Sequence, residues 1–327
     1  EDNFLSILPG HKLLLKGEGI IAIALTSYGC LTGLLIIFLL TPFFIFFLQI
    51  IYPYILRIMS IFVISSSLLL IITEQGFDKK FWALIIFILS GFLGIATLNL
   101  NINEPFLPLF TGLFGASSLI VSIKQKTRLP IQITELKNLN FSKSSFLKSS
   151  LASIIASPLP SFLPALGSSQ AALIGSQIMG ESDEKGFLFL VASISIIVMA
   201  LSFVTFYSIQ KTRTGSAVAI SKLLTNLSMN DLLLIITSII LTGFIAFFIT
   251  MNIAKIFAKH INKINYSKIS IFILALLTFF VFWFSGIIGF LVFITSTFLG
   301  ITAILKGIKR TQLMGCLLIP TILFYIL

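Results

Sequence analysis

The sequence predicts an all-α fold, a polytopic transmembrane helical bundle of about nine to ten membrane segments. Three observations predict it. Hydrophobic residues make up 57% of the 327 positions and charged residues only 10%, against about a quarter charged in a soluble domain. The mean hydropathy is +1.10. Uncharged apolar runs recur at close to the length that crosses roughly 30 Å of hydrocarbon at about 1.5 Å per residue.

In chain order, Ile20 to Arg57 carries no charge before its last residue, and Tyr54 to Ile72 follows an uncharged turn predicted at Gln49 to Pro53. Phe81 to Leu98, Phe106 to Ile123, Phe187 to Ile209 and Leu232 to Ile253 are each one span. Ile269 to Leu305 is too long for one crossing and contains Ser285-Gly286, which predicts a tight hairpin of two helices. Thr311 to Leu327 is a last, short span. The remaining stretch, Ser149 to Gly180, contains "SPLPSFLPALGSSQAALIG". Proline removes backbone donors, and broken backbone at membrane depth is tolerated only where protein or a watery cavity surrounds it. A re-entrant hairpin is therefore expected there.

Charge orients the spans. The net charge of +11 would suggest nucleic acid in a soluble protein, but here Lys and Arg collect in short loops, as the positive-inside rule describes, and no nucleic-acid partner is expected. Lys124 to Lys148 has six basic residues and one acid, Glu135, and is placed in the cytoplasm. Threading backwards puts Asn99 to Pro105 outside, Glu74 to Lys80 inside, Gln49 to Pro53 outside, and the N-terminal stretch with Lys12 and Lys16 inside. Threading forwards, Ala254 to Lys268 and Lys306 to Arg310 are inside only if 149–180 enters and leaves on one face. Gln210 to Ser228 then falls outside despite Lys211, Arg213 and Lys222.

Two basic, Gly-centred leads into helices, "LLLKGEGIIAIALTSYG" and "SIQKTRTGSAVAISKLL", lie on opposite faces in this threading, a pattern of inverted repeats in secondary transporters. The expected organisation is a first repeat at 1–148, with the basic linker at 124–148, and a second repeat at 149–327 with the hairpin at 149–180. The first repeat should own an upstream Pro/Gly hairpin, of which only "SILPGHKLLLKG" is present. With no initiator Met before Glu1-Asp2-Asn3, the chain is expected to begin within a longer protein.

Polar features are few. Cys30 and Cys316 lie far apart in apolar runs, without a partner at ligand spacing, so neither a disulfide nor a metal site is expected. No phosphate-cradling loop, H-E-x-x-H or other catalytic constellation occurs, so the protein is not expected to be an enzyme or to hold a cofactor. In the hairpin, Pro164 ends one half-helix, Gly167 permits a turn, and Ser168, Ser169 and Gln170 begin the next. That helix start suits an anion through its unpaired N–H groups, or Na+ through neighbouring oxygens; Ser168 or Ser169 acting as a plain N-cap is the alternative. Pro9, Gly10 and His11 form a second predicted break, with His11 either a surface residue or a carrier of coupled H+. Glu181, Asp183 and Glu184 read as a solvated acidic loop or a cation-holding group. Gly112, Gly115, Ser117 and Ser118 give a helix a small-residue packing face, and Asp231 favours the dipole at the start of a span.

At these residues the chain resembles a known family. "LPGHKLLLKGEG" is similar to the loop of type D-G-Y-P-x-x-x-x-G-x-x-G in the large membrane subunit of tripartite tricarboxylate transporters, above all its archaeal-type branch. "LPLFTGLFGASSLI" and "FLPALGSSQAALIGSQIMG" resemble that branch's mid-chain signature and second hairpin, with Pro164-Ala165 standing where the family has P-G. The resemblance implies a multi-pass permease in a prokaryotic cell membrane, surrounded by membrane lipid. It also implies two hairpins meeting around an organic anion, an extracytoplasmic solute-binding protein and a small membrane subunit as partners, and a cation as driving ion. Ion-gradient-coupled transport of a carboxylate-class anion is the leading reading. Translocation of a lipid-linked phosphate such as a polyprenyl phosphate, and a non-transporting membrane scaffold, are the alternatives.

Overall fold

The computed structural model describes residues 9–72, 74, 76–124, 130–133, 141–162, 167–180, 184–212, 214–224, 226–260 and 266–326. Among them every regular element is helical: α1 (Pro9–Leu15), α2 (Gly19–Ile72), α3 (Phe77–Asn99), α4 (Phe106–Phe110), a π-helical segment (Thr111–Ala116), α5 (Ser117–Lys124), α6 (Lys143–Ala156), α7 (Pro158–Phe162), α8 (Ser168–Met179), α9 (Glu184–Ile209), α10 (Gly215–Leu223), α11 (Met229–His260), α12 (Tyr266–Leu305), a 3-10 turn (Arg310–Met314) and α13 (Gly315–Ile326). Six helical stretches among the described residues are long and apolar enough to cross a membrane: Gly19–Tyr54, Phe77–Asn99, Phe106–Lys124, Glu184–Ile209, Met229–His260 and Ser267–Leu305. The expected polytopic all-α bundle is what the chain forms.

One predicted turn is absent. The backbone stays helical through Gln49 to Pro53, with Pro42 and Pro53 both inside α2. Each proline removes one donor to the carbonyl four residues earlier. A helix can absorb single lost bonds of this kind, and nothing charged in this stretch draws it into water.

The chain divides into two compact units, one containing Ser60–Leu129 and Asn262–Leu327, the other Leu8–Met59 and Pro130–Ile261. In the first, α3 and α13 pack at backbone distance. A Cβ added at Gly94 would collide with the carbonyl of Cys316, and the seam is filled by Ala83, Ile86, Leu313 and Cys316. The stretch α4–π–α5 lies against the second half of α12, where a Cβ at Gly112 would come within 2.7 Å of the Phe293 carbonyl oxygen. Ser296 Oγ donates to the Pro108 carbonyl at 3.2 Å across the same seam. Gly112 thus serves helix packing, and Ser117 and Ser118 bond carbonyls of their own helix, at Leu113 and Phe114.

The break predicted at Ser285-Gly286 is present. Gly286 has φ 66° and ψ −165° within α12. The rings of Phe282 and Phe290 lie 6.3 Å apart, whereas eight residues of straight helix would separate them by about 12 Å. Val281 and Phe293 join one core cluster, so the two arms fold back on each other. At the open end, Lys309 N–H donates to Glu74 at 3.0 Å and Lys306 Nζ sits 4.1 Å from the centre of the Trp82 ring. Glu74–Lys80 and Lys306–Arg310, both assigned inside by charge, therefore share one end of this unit.

In the second unit α9 is the central post. Fourteen of its residues are buried, from Gly186 to Phe206, and α6, α7, α8, α1, α10 and α11 all pack on it. The start of α2 and the end of α11 meet through Ile20, Ile21, Leu25, Ala254 and Ala258, with Phe141 against them. α11 begins with Ser228 and Asp231 capping each other: Asp231 accepts from Ser228 N–H at 3.0 Å and from its hydroxyl at 2.6 Å, and Asp231 N–H donates to Ser228 Oγ at 3.2 Å. This is the carboxylate-at-a-helix-start arrangement expected there, in capping-box form.

Candidate functional site

The hairpin is built from helices too short to cross. α6 has 14 residues and α8 has 12, about 21 and 18 Å of helix against roughly 30 Å of hydrocarbon. Their alanines make the contact possible. Ala152 and Ala156 of α6 and Ala171 and Ala172 of α8 form one core with Leu190 and Ile194 of α9. A Cβ at Gly175 would come within 3.3 Å of both Ala156 Cβ and Leu190 Cδ2, so the helices close together.

Entry and exit of the hairpin are neighbours. Ser149 Oγ donates to the Gly186 carbonyl at 3.3 Å, and the rings of Phe141 and Phe146 each lie 5.3 Å from that of Phe189. The chain thus leaves from beside the beginning of α9 and comes back to it.

At the inner end, α6 passes through a turn at Ser157 into α7, and the chain resumes at Gly167 before α8. Pro164 lies outside the described residues. Gly167 and Ser168 are half-buried, and Ser169 and Gln170 follow in the first turn of α8 with their side chains outside the description. The Gly167 carbonyl accepts from Ala171 N–H at 3.2 Å. The amides of Ser168, Ser169 and Gln170 precede the first intrahelical bond, the position at which a helix offers N–H groups and partial positive charge to an anion.

Pro9, Gly10 and His11 take a different form from the predicted break. They start α1, with Pro9 at the first helical position, where its missing N–H costs nothing. The side chains of Pro9 and His11 lie outside the description. The actual break is about two turns later, at Lys16-Gly17-Glu18, where Gly17 has φ 82°. The sequence signal missed there is Gln132. Its side chain accepts from Gly19 N–H at 3.0 Å and donates to the carbonyls of Leu14 at 3.0 Å and Pro130 at 2.9 Å, while Ile133 N–H donates to Gly17 O at 2.8 Å. One amide therefore ties the N-terminal loop to the basic linker, putting the two at the same end of the unit.

Gly10 lines a cavity of about 300 Å³, largely apolar, with Leu14, Gly19, Gln132, Leu188 and Phe257. Of the three acids predicted as a group, Glu184 pairs with Lys12 and, at 3.3 Å, with Lys16; Glu181 and Asp183 lie outside the described residues. Gly10 faces Leu188, while Gly175 faces Leu190 and α8 climbs seven residues from there to Ser168. The hairpin tip consequently lies about 13 Å farther along α9 than Gly10. The predicted residues fall at two depths: Gly167 to Gln170 together at the tip, Pro9 to His11 at the entry end.

A second feature escaped the sequence reading. Ser149, Ser153, Ser157 and Ser161 recur every four residues along α6 and α7, each at most 1% exposed. Ser193 Oγ of α9 donates to Ser153 Oγ at 3.2 Å. The spacing is visible in "SSLASIIASPLPS", though nothing local marks it as buried.

Six membrane-length helices among the described residues make this a polytopic membrane protein, and its family match gives the class, a membrane permease of the transporter type. The chain belongs to the Tripartite tricarboxylate transporter TctA family, whose profile matches residues 1–315. It is thus a multi-pass protein of the cell membrane, of the kind that forms the large membrane subunit of a tripartite system. It is similar to Uncharacterized protein MJ1079 of Methanocaldococcus jannaschii, with 28% identity over 337 aligned residues that cover 100% of this chain and 82% of the relative. No solved structure matches it.

Proposed function

We propose that the protein moves an organic anion of the carboxylate class across the membrane, driven by an ion gradient, and binds it at the hairpin tip formed by Gly167, Ser168, Ser169 and Gln170. The observation that carries this is the start of α8: helix N-terminal amides that precede the first intrahelical bond, at the end of two helices too short to cross. Such a terminus supplies positive potential and N–H donors without a basic side chain, which suits a carboxylate that must be released again. Membership of a family named for tricarboxylates supports the same class of cargo. An extracytoplasmic solute-binding protein to deliver the anion and a small membrane subunit complete the proposed system.

The test is uptake of labelled citrate into liposomes containing the purified protein with its partner subunits, under imposed Na+ or H+ gradients. Gln170→Ala and Gly167→Val should abolish uptake while leaving helical content and elution volume unchanged. Full uptake by both variants would sink the site.

A further inference from the structure

We propose that the cavity beside α1 seats one hydrocarbon chain of an anionic membrane phospholipid, whose head group is held by the lysines at its mouth. The inference rests on the second unit alone and does not depend on what the permease carries.

The cavity is walled by α1, α2, α9 and α11, with Gln132 at one side. Thr26 and Gln132 are the polar side chains that line it, and the donors of both are taken. Thr26 Oγ1 donates to the Ala22 and Ile23 carbonyls of its own helix, at 3.1 and 2.9 Å. Gln132 gives its two N–H groups to Leu14 O and Pro130 O and accepts from Gly19 N–H. No side-chain donor is left to hold a soluble anion inside. An apolar cavity of this kind stays dry and accepts hydrocarbon. Its volume of about 300 Å³ suits roughly ten methylene groups, each taking about the 30 Å³ of a water molecule.

The cavity also crosses the boundary between hydrocarbon and water. The uncharged run of α2 begins at Ile20 and that of α11 ends at Ile253. The walls extend from Thr26, inside the first run, to Ala258, beyond the end of the second. Ile23 and Phe257, both lining residues, are 37% and 57% exposed, so the cavity opens onto the surface that faces lipid.

Charge at the mouth is one-sided. Five lysines, Lys12, Lys16, Lys185, Lys255 and Lys259, stand within four positions of a lining residue, against the described carboxylates Glu18 and Glu184. Glu184 takes Lys12 and Lys16. Lys255 and Lys259 are exposed beside the lining residues Ala254 and Ala258, and neither has a carboxylate partner among the described residues. The sequence has no Asp or Glu after Asp231 to supply one. Lysine stems lie along apolar surface and carry their ammonium groups into the head-group layer, and basic pockets between membrane helices bind anionic head groups there. A soluble anion would use the lysines and leave the cavity empty; a neutral lipid would do the reverse. An anionic lipid uses both.

The test places a reporter at the mouth: Phe257→Trp in a Trp82→Phe, Trp283→Phe background, with the full chain reconstituted in vesicles without partner subunits. Phosphatidylglycerol or phosphatidylcholine, brominated on the chains, is diluted into unbrominated phosphatidylcholine, and quenching is read as a relative binding constant. Phosphatidylglycerol should be preferred about fivefold, the factor that one lysine near an anionic surface supplies. Lys255→Gln with Lys259→Gln should abolish the preference. Thr26→Leu and Ile23→Phe fill the cavity and leave every charge in place. Each should abolish it too, with helical content and elution volume unchanged, whereas lipid gathered by surface charge alone would keep it. Equal quenching by the two lipids in the reporter protein, or a preference that survives both filled cavities, overturns the seated chain. A preference that survives the loss of both lysines overturns the head-group assignment.

Discussion

Replacing Gly286 by alanine tests the fold where the backbone alone decides it. At φ 66° and ψ −165° the residue occupies a region reached in practice only by glycine. A Cβ placed there meets nothing within 4 Å. Steric collision is therefore absent, and the cost is conformational, about 1–3 kcal/mol. The bend matters because α12 has 40 residues; unbent, it would reach about 60 Å, twice the hydrocarbon thickness, and carry Phe and Ile into water. The Phe282–Phe290 and Val281–Phe293 contacts would be lost with it.

The measurement is reversible unfolding in mixed micelles, read by the fluorescence of Trp283 in a Trp82→Phe background, since the chain has two tryptophans. Gly286→Ala should shift the midpoint by the equivalent of about 2 kcal/mol, near thirtyfold in the folded ratio. Gly215→Ala is the control: it too meets nothing within 4 Å, but it stands in the first turn of α10 without a positive φ. It should be neutral or stabilise by about 0.4–1 kcal/mol. Equal stability of Gly286→Ala and wild type would refute the reasoning, because the bend could not then depend on a glycine-only conformation.

Two further perturbations probe the other unit and the helix seam. Gln132→Leu removes the acceptor for Gly19 N–H and the donors to Leu14 O and Pro130 O, a loss of about 1–3 kcal/mol; limited trypsinolysis should cut the Lys124–Lys148 linker several-fold faster than in wild type. Gly112→Leu drives a side chain into the Phe293 backbone and should cost at least about 2 kcal/mol in the same unfolding assay. Gly115→Ala, whose nearest neighbour would be Leu277 Cδ1 at 3.6 Å, should unfold at the wild-type midpoint.

Charge made much of this fold readable. A lysine in a short loop must stay in water, so the basic loops constrain where each span begins and ends. Serine carries no such constraint. Ser117, buried, bonds Leu113 O at 2.7 Å, and Ser238, exposed, bonds Leu234 O at 2.8 Å. A hydroxyl that satisfies itself on its own helix looks the same to the sequence on either surface, which is why the row from Ser149 to Ser161 was not legible. Gln132 was hidden for a related reason, since its three partners are backbone groups of Leu14, Gly19 and Pro130, and backbone has no sequence signature.

Proline shows the same limit from the other side. Pro42 and Pro53 sit inside α2 and do not end it, whereas Pro158, Pro160 and Pro164 accompany the ending of α6, a five-residue α7 and a fresh start at Ser168. One proline removes one donor, and the helix around it still satisfies every other carbonyl; prolines two to four residues apart remove donors faster than one turn can compensate. Density of proline, more than its presence, marked the break, because closely spaced prolines leave consecutive turns of one helix without their i+4 donors.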